Sequence, residues 1–265
     1  MRKLGVGQVL FAASMMLAGA LSIAFHDFAL AWREVPKAIA GHDALVIVSG
    51  VILIVCGLAL LVPRTARSSA LVLAMLFLLA TLLLRVRPVL MQPLVEGMWY
   101  ALGEMLTLAS GAWIIFSMQP VGAGDPLAKL GNVRLGQMVF GVSLIPLGLA
   151  HMFYMNLTAP LIPSYIPFHV PLGYATGAFH IAAGLGIVFG ILPRLAATLE
   201  ATMVSLFTLL IWVPTVLGTP RPFDWTELAS SAAISGAAWA VAESFRATPN
   251  KRTIWPWRRI HARAA

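Results

Sequence analysis

Apolar runs of about twenty residues recur along this chain, and a backbone that passes repeatedly through hydrocarbon has very few ways to fold. In lipid every N–H and C=O must find its partner within the protein, which leaves only helices or closed barrels. A barrel strand alternates polar and apolar residues. The runs here stay apolar without alternation, near 4–25, 44–62, 70–86, 97–117, 135–156, 173–192, 195–213 and 227–245. The breaks between them carry proline, glycine or charge, as helix ends should. Composition agrees. Of 265 residues, 60% are hydrophobic and 11% charged, and the mean hydropathy is +0.88, whereas an ordinary soluble domain is roughly 25% charged. A disordered chain is excluded and a water-soluble globular fold disfavoured. The expected fold is an all-α membrane protein with eight transmembrane helices.

The net charge of +8 speaks of topology rather than of nucleic acid, because the basic residues sit at the ends of apolar runs and form no basic face. Arg2, Lys3, Arg64, Arg67, Lys129, Arg134, Arg194, Arg246, Lys251, Arg252, Arg258, Arg259 and Arg263 fall on one side; Arg33, Lys37, Arg85, Arg87 and Arg221 fall on the other. Cytoplasmic loops carry the excess of Lys and Arg, so both termini are expected in the cytoplasm and the protein in the inner membrane. Met1-Arg2-Lys3 with Ala18-Gly19-Ala20 also fits a cleaved secretory signal, but the repeat described next argues for a retained helix. The single cysteine, Cys56, forbids an intrachain disulfide, and no CxxCH haem-attachment motif is present.

The two halves match each other. At an offset of 129, Gly7-Gln8-Val9-Leu10-Phe11 meets Gly136-Gln137-Met138-Val139-Phe140, and Gly19 meets Gly148; at 130, Pro63-Arg64 meets Pro193-Arg194; at 126, Trp99 meets Trp225 and Ala112-Trp113 meets Ala238-Trp239. The chain therefore reads as two four-helix bundles, 1–118 and 134–246, joined by a cytoplasmic linker over 119–133 and followed by a basic, aromatic tail over 247–265. Four spans per unit is an even number, so the repeats are parallel.

Gly177-Ala-Phe-His180-Ile-Ala-Ala-Gly184 running into Pro193-Arg194-Leu-Ala-Ala, with Arg134-Leu-Gly-Gln137 through Gly148-Leu-Ala-His151 before it, resembles the motif of DoxX-like membrane proteins. The first half keeps Pro63-Arg64 but has Gly50 opposite His180 at the 130 offset. The resemblance implies a compact four-helix membrane domain, here duplicated. The family takes its name from a subunit of an archaeal thiosulfate:quinone oxidoreductase, which implies a link to quinone redox through a partner protein.

Ionisable residues inside spans are costly, so they are candidates for function. Gln137, Gly141, Leu144, Gly148 and His151 share one helix face, and Gln8, Ala12, Met15, Gly19, Ser22 and His26 repeat the pattern. The small residues allow close backbone approach; the Gln and His side chains either line a site or bond neighbouring helices and interfacial water. His180 lies mid-span, flanked by Gly173, Gly177 and Gly184, which leave room for a partner helix or for a flat ligand. Its imidazole suits proton relay, a hydrogen bond to a quinone carbonyl, or, with His151, an axial haem contact. Glu104 lies on a face with Gly97, Tyr100, Leu108 and Gly111, as a proton carrier or as the partner of Arg85, Arg87 or a buried His. Glu200, six residues beyond Arg194, reads as a surface salt bridge. Asp27, Glu34, His42 and Asp43 match no metal spacing. The proline-rich outer loops, 160–171 and 214–225, are either lids or stiff connectors. The tail suits anionic membrane lipids, each cation contributing about 1 kcal/mol near the surface.

The expectation is a membrane protein binding a small or lipid-soluble ligand in an outer-half polar cavity lined by His151, His180, Glu104, Gln137, Gln8, His26 and Tyr100, with no metal. A quinone or haem is the candidate cofactor and a redox or membrane protein the candidate partner; the oligomeric state is open. A non-enzymatic membrane scaffold or assembly subunit and a small-solute transporter are the alternatives.

Overall fold

The computed structural model describes residues 4–30, 37–38, 40–122, 124–218 and 220–247. The tail reading at 248–265, Arg33 and Glu34 lie outside them. Eight long helices run in order: α1 Val6–Phe25, α2 His42–Leu60, α3 Ala66–Met91, α4 Glu96–Met118, α5 Val133–Phe153, α6 His169–Phe189, α7 Pro193–Leu217 and α8 Pro222–Ala247. The described residues form no strand. Seven helices, α1 to α7, are each long and apolar enough to cross a membrane, the pattern of an integral membrane protein. The helix over the expected eighth span, α8, is as long as α3, but its middle is built of Ala, Ser and Gly and is less apolar.

Local sequence explains the helix ends. Asn132 caps α5 by accepting a hydrogen bond from Leu135 N at 3.0 Å. Gly190 ends α6 at φ +73°, in the left-handed region that glycine enters freely, and Leu192 also takes a left-handed conformation (φ +43°). Pro193 then opens α7, where its missing N–H costs nothing. The 190–192 segment is thus a tight turn, not a kink. Arg134 donates to the Ile187 and Val188 carbonyls at 2.9 and 2.6 Å, satisfying the last turn of α6. Arg67 clamps the linker, donating to Asp125, the Phe116 carbonyl and the Leu127 carbonyl, with its guanidinium 4.2 Å from the Phe116 ring centroid. Both α3 and α7 loosen into a π-helical stretch, Thr81–Arg85 and Thr208–Trp212. In each, the leading threonine donates to the carbonyl four residues back.

α4 and α8 lie side by side at the centre, with Gly111 of α4 against Ala237 of α8. α1 packs on α8, where Gly7 faces Trp239 and Ala240; α5 packs on α4, where Gly136 faces Trp113 and Ile114. α2 and α3 flank α1 and α4; α6 and α7 flank α5 and α8. Phe11, Met15, Phe77, Phe116, Phe140 and Leu144 fill the core with no exposed surface. The outward faces carry exposed Leu, Val and Phe, among them Leu58, Leu83 and Phe189, an apolar belt suited to hydrocarbon rather than water.

The closest helix contacts run backbone to backbone. A Cβ on Gly148 would lie 2.5 Å from the Gly177 carbonyl oxygen and 2.6 Å from Ile181; Gly19 stands likewise against the Gly50 carbonyl and Ile54. Without a hydrophobic drive in lipid, such close van der Waals contact supplies much of the association energy. Gly148→Ala is therefore expected to cost about 1–3 kcal/mol through overpacking. Gly122→Ala, with open space around it, should leave stability unchanged. Thermal unfolding of the purified protein in detergent checks both, and equal melting temperatures for the two variants would contradict the packing described.

Candidate functional site

A cavity of about 1050 Å³ lies among α4, α5, α6, α7 and α8. Its walls are mostly leucine, isoleucine, alanine and phenylalanine. The residues after α5 form a helical turn, Met155–Thr158, and a 3₁₀ turn, Ala159–Leu161, and the chain from there on contributes Leu157, Leu161, Ile162, Pro163 and Ile166 to the lining. The cavity is not sealed: Phe179 of α6 and Leu199 and Leu206 of α7 line it and are themselves exposed, as are Leu157 and Leu161 after α5 and Phe223 of α8.

One part of the wall is polar. His180 Nδ1 lies 2.8 Å from Glu200 Oε1, and the two side chains are 4% and 0% exposed. His151 stands beside His180, with ring centroids 5.4 Å apart and planes inclined by 41°. Phe207 sits 6.1 Å from one imidazole and 6.4 Å from the other. Thr176 Oγ1 lies 2.8 Å from the Gly173 carbonyl oxygen and 3.2 Å from His151 Nδ1, within hydrogen-bond reach of both. Glu200 Oε2 is buried and has no hydrogen-bond partner. Tyr100 and Glu104 of α4, and Glu227, Ser230 and Ser231 of α8, also line the cavity.

Of the residues singled out from the sequence, His151, His180, Glu104 and Tyr100 come together around this one cavity. Gln137, Gln8 and His26 are not among its lining residues. Gln137 donates to Ser244 of α8 at 2.8 Å, and Gln8 donates to the Leu60 carbonyl and accepts from Gln119. His26 is the exposed, left-handed residue that ends α1. The stripe of small residues around His180 receives a helix rather than a flat ligand: Gly177 faces the Gly148 carbonyl and His151, and Gly184 faces the Gly141 carbonyl, all on α5. The lining runs from Leu157 and Ile162 after α5 to Leu192 and Leu195 beside the α6–α7 turn, so it reaches both ends of α6. Among the described residues no group of three His, Cys, Asp or Glu is gathered closely enough to hold a metal ion.

Glu200 is the residue the sequence reading missed. It is buried against His180 of α6, not paired at the surface. Its face gives the signal: Ala197, Glu200, Ala201 and Val204 are all buried at helical spacing on α7. Comparison with known proteins finds no matching family model, no matching curated protein and no matching solved structure.

Removing one member of a buried pair strands the other, whereas replacing both with apolar side chains removes the desolvation cost as well. His180→Leu is expected to destabilise the protein by about 3 kcal/mol or more. The double variant His180→Leu/Glu200→Leu should recover most of that loss. Melting curves of the two variants in one detergent decide the matter, and a double variant no more stable than the single one would mean the pair is not coupled.

Proposed function

We propose that this chain is a DoxX-like protein of the cytoplasmic (inner) membrane that binds a lipid-soluble molecule with a polar head group in the α5–α8 cavity. The observation that carries this is a mostly apolar cavity that has His151, His180 and Glu200 clustered on its wall and exposed Phe179, Leu199 and Leu206, on two membrane-length helices, among its lining. A ligand partitioned in the bilayer enters sideways, places its apolar body along Leu199 and Leu206, and presents its polar end to the imidazoles. A quinone is one such molecule, and reaction with it requires electrons from a partner protein.

We further propose that α8 is the eighth span and that the chain is a duplication of a four-helix unit in parallel orientation. Paired contacts support this: Gly7 on Trp239 beside Gly136 on Trp113, Gly19 on the Gly50 carbonyl beside Gly148 on the Gly177 carbonyl, and Gly57 on the Ala12 carbonyl beside Gly184 on the Gly141 carbonyl. These contacts favour an offset of 127 for α2 and α6, so that Gly50 answers Gly177 and Leu53 answers His180. At the same offset the π-helical stretch of α3 answers that of α7 and Leu73 answers Glu200. Leu53 and Leu73 are both buried, which leaves the second half as the half that carries the site.

Two experiments test these readings. Protein purified in mild detergent is expected to carry a lipid-soluble molecule detectable by mass spectrometry of an organic extract. Ala182→Trp, which narrows the cavity at a lining position, should lower its occupancy at least about ten-fold, a loss of roughly 1.4 kcal/mol. No bound molecule in either protein would favour a scaffold, and net flux of a polar solute through proteoliposomes would favour a transporter. For topology, single cysteines at Leu94 and Gly122 should label from opposite sides of intact cells, Leu94 from outside. Both positions are exposed and the native Cys56 is buried. Labelling of both from one side would overturn α4 as a span between them.

A further inference from the structure

The charge of the cavity wall runs against the charge of the chain. Lys and Arg outnumber Asp and Glu by 18 to 10 over the whole sequence. The described lining residues nevertheless include Glu104, Glu200 and Glu227, and neither Lys nor Arg. A lipid-soluble molecule with an anionic head would therefore meet three acidic side chains and no permanent cation.

Glu200 supplies a second, independent observation. Its side chain has no exposed surface, and Oε1 lies 2.8 Å from His180 Nδ1. Its other oxygen, Oε2, is buried and has no hydrogen-bond partner among the described residues. An ionised carboxylate only accepts hydrogen bonds, so the group that completes it is a donor. A donor that is itself charged makes the stronger bond. Phe207 stands 6.1 Å from the His180 ring, and an aromatic ring beside such a pair adds attraction for a cation.

We propose that the head group taken by the cavity is an amine, held as an ammonium by Glu200. This rests on the lipid-soluble-ligand reading above and names the ligand class as an amine on an apolar body. The bound state is reached from either a neutral or an anionic His180–Glu200 pair. A neutral pair gives one proton, from the imidazolium or from the carboxylic acid, to the lone pair of an uncharged amine, and a new N–H bond forms. An anionic pair receives the ligand already as ammonium. Both routes end in neutral imidazole, carboxylate and ammonium, so no net charge is left buried. A fatty-acid anion requires the reverse, an imidazolium beside an un-ionised acid, on a wall with two further glutamates. An alcohol offers a hydrogen bond but no ion pair.

The test uses the full chain in phosphatidylcholine nanodiscs, whose zwitterionic surface does not select for cations. Three probes share one apolar body: 4-octylbenzylamine, 4-octylbenzyl alcohol and 4-octylbenzoic acid. Equilibrium dialysis against empty nanodiscs separates binding to the protein from partition into lipid. The amine is expected to bind at least about ten-fold more tightly than the alcohol, and the acid more weakly than both. In Glu200→Gln, which keeps the shape and removes the charge, the amine-to-alcohol ratio should fall towards one through weaker amine binding. Three results would overturn the amine assignment and leave the lipid-soluble-ligand reading standing: an alcohol that binds as tightly as the amine, an acid that binds most tightly, or an amine preference that survives Glu200→Gln. Failure of all three probes to bind would remove both readings. Should Glu200→Gln not fold, the order of the three affinities in the native protein still decides.

Discussion

Close approach of α5 to α6 is the constraint on which the rest of the site depends. Gly148 and Gly177 bring the two backbones together one turn from His151 and His180, and Gly141 with Gly184 repeats the contact two turns lower. A larger residue at any of these positions pushes the helices apart by about the width of a methyl group. The imidazoles, 5.4 Å apart at the centroids, would then no longer stand in ring contact. In a bilayer this approach is also favourable in itself, because lipid tails offer no hydrophobic reward for burying large side chains. The same glycines thus supply association energy and set the chemistry.

The centre of the protein follows a related logic. α8 carries Ala229, Ala233, Ala237, Ala238, Ala240 and Ala242, all essentially without exposed surface. It also carries serines that bond outward to α7: Ser235 with Ser205 at 2.7 Å and Ser231 with Thr208 at 2.8 Å, while Trp239 donates to Ser205 at 3.0 Å. Small residues let α1, α4 and α7 close around α8, and the hydroxyls fix its rotation. Such a helix is less apolar than its neighbours because it is surrounded by protein rather than lipid, and hydropathy therefore reports it weakly.

Most of the helix pattern was legible in the sequence, since apolar runs and their Pro, Gly and basic breaks follow directly from the cost of exposing backbone in hydrocarbon. His151, His180, Glu104 and Tyr100 were legible as candidates because buried polar residues are rare in such runs, and the cavity gathers all four. Glu200 was hidden by its neighbourhood. Closeness to Arg194 in sequence suggested a surface pair, yet seven residues beyond Pro193 is roughly 10 Å along the helix. His180, nine residues before the end of α6, stands roughly 13 Å up from the same turn. Two helices joined by a tight turn bring equal depths together, and that comparison alone pairs His180 with Glu200. Within the proposed duplication, letters and helix contacts give different registers. Matching Pro63-Arg64 to Pro193-Arg194 aligned letters, whereas the helix contacts align Gly50 with Gly177.

The proposed duplication makes the cost of the polar pair visible within one molecule. Where the second half buries His180 and Glu200, the first half buries Leu53 and Leu73 in corresponding places, in the same continuous core. An apolar pair packs there without desolvating anything, so the fold does not need an acid and a base at that depth. Burying them costs several kcal/mol per ion before their mutual attraction offsets it. One carboxylate oxygen of the pair is left with no partner in the protein, so that offset is incomplete. A role in packing alone would be met by leucines, so it is at the wall of the cavity that the chemistry of the two halves differs most.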